Sequence, residues 1–178
     1  MRVITGLARG RKLKTVRGND VRPTADRVKE GLFSAIQFDI EGRRVLDLFA
    51  GSGQLGIEAL SRGAQSAVFV DSSDASLEAV KENLRAVGLQ SSATVLKADF
   101  SDFLKTTRLT FDIAFLDPPY AKGLLPEAMS LLTRSMSEAG VIICEHPTEM
   151  SLPEEVGKFK LSRSYKYGKV MLSFYRRG

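Results

Sequence analysis

Hydrophobic positions along this chain change their rhythm three times. From Arg44 onward, short apolar runs alternate with segments whose apolar residues recur at helical spacing. Val45-Leu-Asp-Leu-Phe49, Ala67 to Val70, Thr94 to Lys97, Phe111 to Leu116 and Val141 to Cys144 read as strands. Phe111 to Leu116 is almost wholly apolar, as expected of a strand covered on both faces. Between the strands, Leu55, Ile57, Ala59 and Leu60 mark one helix. Leu77, Val80, Leu84 and Val87 mark a second, stopped by Gly88, and a third runs from about Leu124 to Met136. The last twenty residues switch to alternation: Phe159 to Tyr167 and Val170 to Tyr175, parted by Gly168-Lys169, predict an antiparallel hairpin.

The opening follows another pattern. Val3 and Ile4, a turn region from Gly6 to Gly10, then Leu13 and Val16 predict a short hairpin. Pro23 pushes Arg22 into an extended conformation, and Thr24 is placed to cap a helix carrying Val28, Leu32, Ala35 and Ile36. Leu32, Phe33 and Phe38 are expected on its core face. The layout is five βα-type strands and a closing hairpin in one α/β sheet, a single domain over 1–178 with a β-hairpin extension over 1–23.

Charge changes the picture by its distribution. Residues 1–30 carry nine Lys/Arg and three Asp/Glu, residues 31–155 ten and eighteen, and residues from Val156 seven and none. Two basic ends around an acidic body point to a polyanion-binding face. Arg9, Arg11, Lys12 and Lys14 suit phosphate contacts, which position a nucleic acid without reading it; a solvated hairpin is the plain alternative. Lys158, Lys160, Lys166 and Lys169 read as protection of an edge strand. One cysteine, Cys144, excludes an internal disulfide framework and reads as a buried strand residue; one histidine, His146, reads as a loop residue, and no metal site is expected. No apolar run approaches the length of a membrane span and the N-terminus lacks a signal's apolar stretch, so a cytoplasmic location is expected.

Two motifs carry chemistry. In Val45 to Gly56 a strand meets a glycine turn and a helix start. Gly51, Gly53 and Gly56 spell G-x-G-x-x-G, and Asp71 follows Gly51 by twenty residues. That spelling also fits a dinucleotide site, because glycines let any ligand approach the backbone at a strand's carboxyl end. Asp47, inside the strand, tips the reading: a carboxylate suits a cofactor bearing an ammonium and a sulfonium, and does nothing for a pyrophosphate. S-adenosylmethionine is therefore expected, with Asp71 accepting from ribose hydroxyls under either reading. After the third strand, Asp99 could accept from an adenine amino group with Phe100 packing on the ring, or could simply cap a helix.

The second motif is Asp117-Pro118-Pro119-Tyr120, directly after the fourth strand. Two prolines stiffen the loop and donate no hydrogen bond, so it presents acceptors. Asp117 and the Pro118 carbonyl can take both hydrogens of an exocyclic amino group, aiming its delocalised lone pair at a methyl donor. Tyr120 offers a flat face for an extruded base.

A glycine cofactor turn followed by DPPY resembles the amino-group methyltransferases of nucleic acids. The chain as a whole resembles the bacterial small-subunit (16S) ribosomal RNA guanine-N2 methyltransferases, the ribosomal small-subunit methyltransferase D family. The likeness runs through RVITGLARGRKL, RPTADRVKEGLFS, LDLFAGSGQLGIEALSRGA and LDPPY. It implies a Rossmann-like class I methyltransferase fold, a seven-stranded, mostly parallel sheet with the C-terminal antiparallel hairpin. It also implies a guanine amino group of small-subunit ribosomal RNA as target. Along the turn it implies cofactor contacts from Phe49, Ala50, Ser52 and Ser72 beside Asp47, Gly51, Gly53 and Asp71. It further places Arg22, Pro23 and Thr24 near the cofactor or target pocket. Tyr120 stands where many relatives carry Phe, which keeps the stacking face. The C-terminal hairpin matches only loosely, so no substrate role is carried to it. A monomer acting on RNA, free or within the 30S particle, completes the expectation.

Rival readings remain at this level. The motif serves adenine N6 or cytosine N4 in DNA equally well, though no separate target-recognition domain is evident. A NAD(P)-binding oxidoreductase would make DPPY an accident, and a non-catalytic assembly factor would leave the motif set unused.

Overall fold

The computed structural model describes residues 1–16 and 25–178. Its helices are α1 (Asp26–Ala35), α2 (Gln54–Ser61), α3 (Asp74–Val87), α4 (Phe100–Thr106) and α5 (Leu125–Leu132). Its strands are β1 (Arg44–Asp47), β2 (Ser66–Asp71), β3 (Ala93–Lys97), β4 (Phe111–Leu116), β5 (Met136–Pro147), β6 (Glu155–Val156), β7 (Phe159–Tyr167) and β8 (Val170–Arg177). They form one sheet in the order β3-β2-β1-β4-β5-β8-β7-β6. The first five strands of that order are parallel, and β8, β7 and β6 follow antiparallel. The strand order reverses between β1 and β4, the place where open α/β sheets bind ligands at their carboxyl ends.

Alternation along the strands splits the core into two layers. Val45, Ile113, Phe115 and Ile143 face one side with α1, α2, α3 and the N-terminal segment; Leu46, Ala114, Leu116 and Cys144 face the other with α4 and α5. Cys144 is fully buried in β5, and burial pushes its thiol well above the ordinary range.

Several expectations are corrected. An eighth, two-residue strand, β6, extends the seven expected; two residues are too short to leave a periodic signal. The helix expected to reach Met136 stops at Leu132; a 3₁₀ turn follows and β5 begins at Met136 itself. β5 runs on to Pro147, so His146 lies inside the sheet and not in a loop. It is 4% exposed, with Nε2 2.8 Å from Ser173 Oγ, and burial lowers its basicity. Phe38 is 94% exposed, beyond the end of α1, while Leu32 and Phe33 are buried as expected. Among the described residues the opening segment forms one antiparallel bridge, Arg2 with Lys12; Thr24, expected to cap the helix, lies outside them, and α1 begins at Asp26.

That opening segment is nonetheless anchored. Glu58 of α2 is fully buried and accepts from Ile4 N (2.9 Å), Thr5 N (3.0 Å) and Arg62 Nε (3.0 Å). Lys29, equally buried, lies 3.6 Å from Glu58 and donates to the Arg2 carbonyl. Asn83 of α3 binds both backbone groups of Lys14 and also donates to the Ser52 carbonyl (2.9 Å), joining the N-terminal segment to the glycine turn.

Candidate active site at the carboxyl ends of the strands

The residues singled out by the two motifs converge on the carboxyl ends of β1, β2, β3 and β4. Gly51 (φ 56°) and Gly53 (φ 81°) adopt the left-handed backbone that lets the chain leave β1 and enter α2 at once. Gly56 serves closeness instead. A Cβ there would sit 2.3 Å from the Phe69 ring and 3.2 Å from Asp47 Oδ2, so its absence lets α2 lie against β1 and β2.

Asp47 is 3% exposed and accepts from Gly56 N through Oδ2 at 3.0 Å. Burial raises its pKa to about 7, against the lowering effect of the Gly56 bond, and the nearby Asp71 adds to the rise. A buried carboxylate with so little compensation fits a cationic ligand, which supports the reading of an ammonium-bearing cofactor. Asp71 binds the turn to its neighbour: Oδ2 accepts from Gly51 N and Oδ1 from Ser73 N, both at 2.9 Å. Ser73, not Asp71, caps α3. Gln54, the first residue of α2, buries a side-chain oxygen with no hydrogen-bond partner among the described residues. Two carboxylates at the ends of adjacent strands, glycine backbone and an orphaned amide form a donor and acceptor set that fits S-adenosylmethionine.

Other expected contacts are placed less directly. Asp99 caps α4, accepting from Ser101 N and Asp102 N through Oδ1. Phe100 is 8% exposed, and its ring lies 5.3 Å from that of Phe49, so it belongs to the core as much as to any ligand face. Ala50 and Ser52 are buried in the turn and Ser72 is exposed. Arg22, Pro23 and Thr24 lie outside the described residues. Of the basic quartet, Arg9 and Lys12 are exposed; Arg11 donates to the Ala86 carbonyl and Lys14 ion-pairs with Glu82 at 2.6 Å. Arg11 is thereby held at the far end of α3, away from the DPPY loop.

In that loop Pro118 is buried, Pro119 is exposed and Tyr120 is half-buried. The Tyr120 hydroxyl points at two carboxylates, Asp117 Oδ1 at 3.4 Å and Glu145 Oε1 at 3.3 Å. Burial first, then these two anions, hold the phenol well above its usual range, so it keeps its proton. Glu145 was not singled out from the sequence. It follows Cys144 in β5 and pairs with Leu172 across the sheet; nothing in its neighbourhood of apolar residues separates it from a surface carboxylate before the strands are aligned. Among the described residues, no group of three His, Cys, Asp or Glu side chains is placed to hold a metal ion.

A parallel sheet reversing at β1 and β4, with an acidic glycine turn on one strand and DPPY on the other, defines a Rossmann-like α/β methyltransferase. Comparison with known proteins narrows the class. The family model described as Conserved hypothetical protein 95 matches residues 1–176. Ribosomal RNA small subunit methyltransferase D of Escherichia coli K12 is 35% identical, covering 99% of this chain and 90% of that protein. The Haemophilus influenzae protein of the same name is 43% identical over 74% of this chain and 70% of its own length. The solved structure of yhhF from Escherichia coli superposes with a TM-score of 0.89 at 35% identity, covering 99% and 97% of the two chains. The chain belongs to the ribosomal RNA small subunit methyltransferase D family.

Proposed function

We propose that this chain transfers a methyl group from S-adenosylmethionine to the N2 amino group of one guanine in small-subunit ribosomal RNA. Methylation of ribosomal RNA with S-adenosylmethionine as donor follows from its family. The choice of guanine N2, the residues in their roles, and the precursor or assembled 30S particle as substrate of a cytoplasmic monomer are our reading. The observation that carries it is the carboxylate of Asp117 beside the stiff Pro118-Pro119 pair, one strand away from the glycine turn.

S-adenosylmethionine, when bound, supplies an electrophilic methyl on a sulfonium. Asp47, Gly51, Gly53 and Asp71 would hold it, with Asp47 answering its positive charge. Asp117 and the Pro118 carbonyl take the two amino hydrogens of guanine, and Tyr120 covers the base. With both N–H bonds held, the nitrogen lone pair would be aimed at the methyl that the bound donor would supply. The surplus proton leaves the nitrogen toward Asp117 or solvent. Orientation and charge do most of this work, and proton abstraction contributes little before the bond forms.

Asp117→Ala is expected to lower methyl transfer to unmodified small-subunit RNA by at least about a thousandfold, while S-adenosylmethionine binding by calorimetry stays within a few-fold of the parent. Transfer by the variant at the parent's rate would remove Asp117 from this role.

A further inference from the structure

The C-terminal hairpin brings aromatic and cationic side chains to the edge that carries the candidate site. Arg163, Tyr165 and Tyr167 of β7 pair with Phe174, Leu172 and Val170 of β8, which pack in the core layer that holds α1. Cross-strand partners share a face, so all three project on the α1 side of the sheet. The register carries on across β8 to β5. Tyr165 is level with Glu145 and Tyr167 with Pro147, two strands or about 10 Å away. β6 pairs with β7 only at Phe159 and Lys160, so among the described residues no strand borders Arg163 to Tyr167 on the outer side.

Tyr165 and Tyr167 are half-buried, whereas Leu172 and Phe174 beside them are buried. A guanidinium stands at each phenol. Arg163 Nη1 lies 3.4 Å from the Tyr165 hydroxyl, and the exposed Arg27 of α1 lies 6.0 Å from the centre of the Tyr167 ring. Gly31 makes room for the second pair: a Cβ there would stand 1.9 Å from the Tyr167 hydroxyl. Packing the hairpin on α1 calls only for apolar side chains such as Leu172, with no cation at either ring. From Val156 to the end, moreover, the chain carries seven basic residues and no acidic one.

Aromatic rings interleaved with cations suit a single-stranded nucleic acid, whose bases stack on the rings while its phosphates meet the charges. A duplex keeps its bases stacked on one another and has none to offer. We propose that Arg163, Tyr165, Tyr167 and Arg27 form a platform that holds unpaired RNA nucleotides flanking the target base. The platform rests on RNA as the substrate and holds whichever base atom is methylated.

Fluorescence anisotropy across a salt series tests it, with a single-stranded oligouridine and an adenine–uridine RNA duplex of the same length as probes. Tyr165→Leu and Tyr167→Leu are each expected to weaken single-strand binding by about fivefold to a hundredfold, with the salt slope and duplex binding unchanged. Tyr→Phe at either position, which keeps the ring, should stay within about twofold. Arg163→Gln is expected instead to lower the slope of log K against log salt by about 0.7, the share of one phosphate on a single strand. Leu variants that fold and bind the single strand as the parent does, or lose single strand and duplex alike, overturn the proposal. Should a Leu variant unfold, the parent decides alone. Irradiated with a single strand carrying 4-thiouridine, it should crosslink through Tyr165 or Tyr167, and crosslinks confined to other residues overturn the platform. Failure of the guanine-N2 reading is separate: the labelled methyl would then map to another atom while the β7 crosslinks remain.

Discussion

In the role proposed for it, Asp47 serves the fold and the ligand with opposite signs. Its carboxylate is buried and titrates near 7, so the folded chain prefers it protonated. Such a raised value adds stability at low pH that is lost as pH rises from the ordinary carboxylate range through about 7. A cofactor cation reverses the preference by favouring the anion. S-adenosylmethionine affinity is therefore expected to rise by up to about tenfold per pH unit between pH 5.5 and 7, where the ligand's amino group stays charged. Asp47→Asn, which still accepts from Gly56 N, should flatten that profile, weaken binding at pH 7 and raise the melting temperature at pH 8. Calorimetric titration and thermal unfolding measure the two halves. A profile as steep in the variant as in the parent would show that another group responds. Glu145 belongs to this scale too: its carboxylate and that of Asp117 meet at the Tyr120 hydroxyl, a relation that exists only between strands.

At the scale of elements, the seating of α2 is governed by what is missing from Gly56. The Phe69 ring beneath it is fully buried in β2 and has nowhere to retreat. Adding a methyl must lift the helix, and with it the turn that Gly51 and Gly53 form. Gly56→Ala is expected to lower stability by about 1–3 kcal/mol, the usual cost of overpacking, in urea denaturation. It should also weaken S-adenosylmethionine binding, because Asp47 and Gly56 N move apart. An unaffected chain would mean that Phe69 can repack. The α5 boundary makes a related point. Apolar spacing continues past Leu132 into Met136, but those residues are shared between the end of a helix and the start of β5, so the pattern overruns the element.

For the whole molecule, the basic ends do not merge into one undivided patch. Both touch α1: Arg2 and the Arg2 carbonyl meet Asp26 and Lys29, while Tyr167 of β7 lies against Gly31 and 6.0 Å from Arg27. The N-terminal turn, however, is held near the end of α2 by Ser61, whose hydroxyl accepts from Ala8 N. The tip of the C-terminal hairpin, in contrast, pairs Val170 with Pro147 at the carboxyl end of β5, the edge that also carries Asp117 and Glu145. Lys166 and Lys169 are exposed there, so protection of an edge strand is not all that they can do. Replacing both with Ala is expected to reduce RNA affinity more than replacing Arg9 and Lys12, and to lower the salt dependence by about one to two phosphate contacts. Cofactor affinity should stay unchanged in both variants. Filter binding across a salt series measures this, and equal losses from the two pairs would place the RNA on both ends alike.

Much of this was legible in one dimension, because period and spacing report local constraints. Alternating apolar runs dictated parallel strands and covering helices, Gly168-Lys169 dictated the hairpin, and a glycine turn with Asp47 and a proline loop with Asp117 marked two neighbouring strand ends as the candidate site. What only the tertiary structure decided are relations between residues far apart in the chain. A buried Glu145 beside Asp117, His146 in the sheet, Phe38 in solvent, and Glu58 and Asn83 anchoring the N-terminal segment depend on strand register and helix seating. A carboxylate in an apolar run has the same letter whether it meets water or a neighbour's partner; the sheet alone brings the second acceptor to the first.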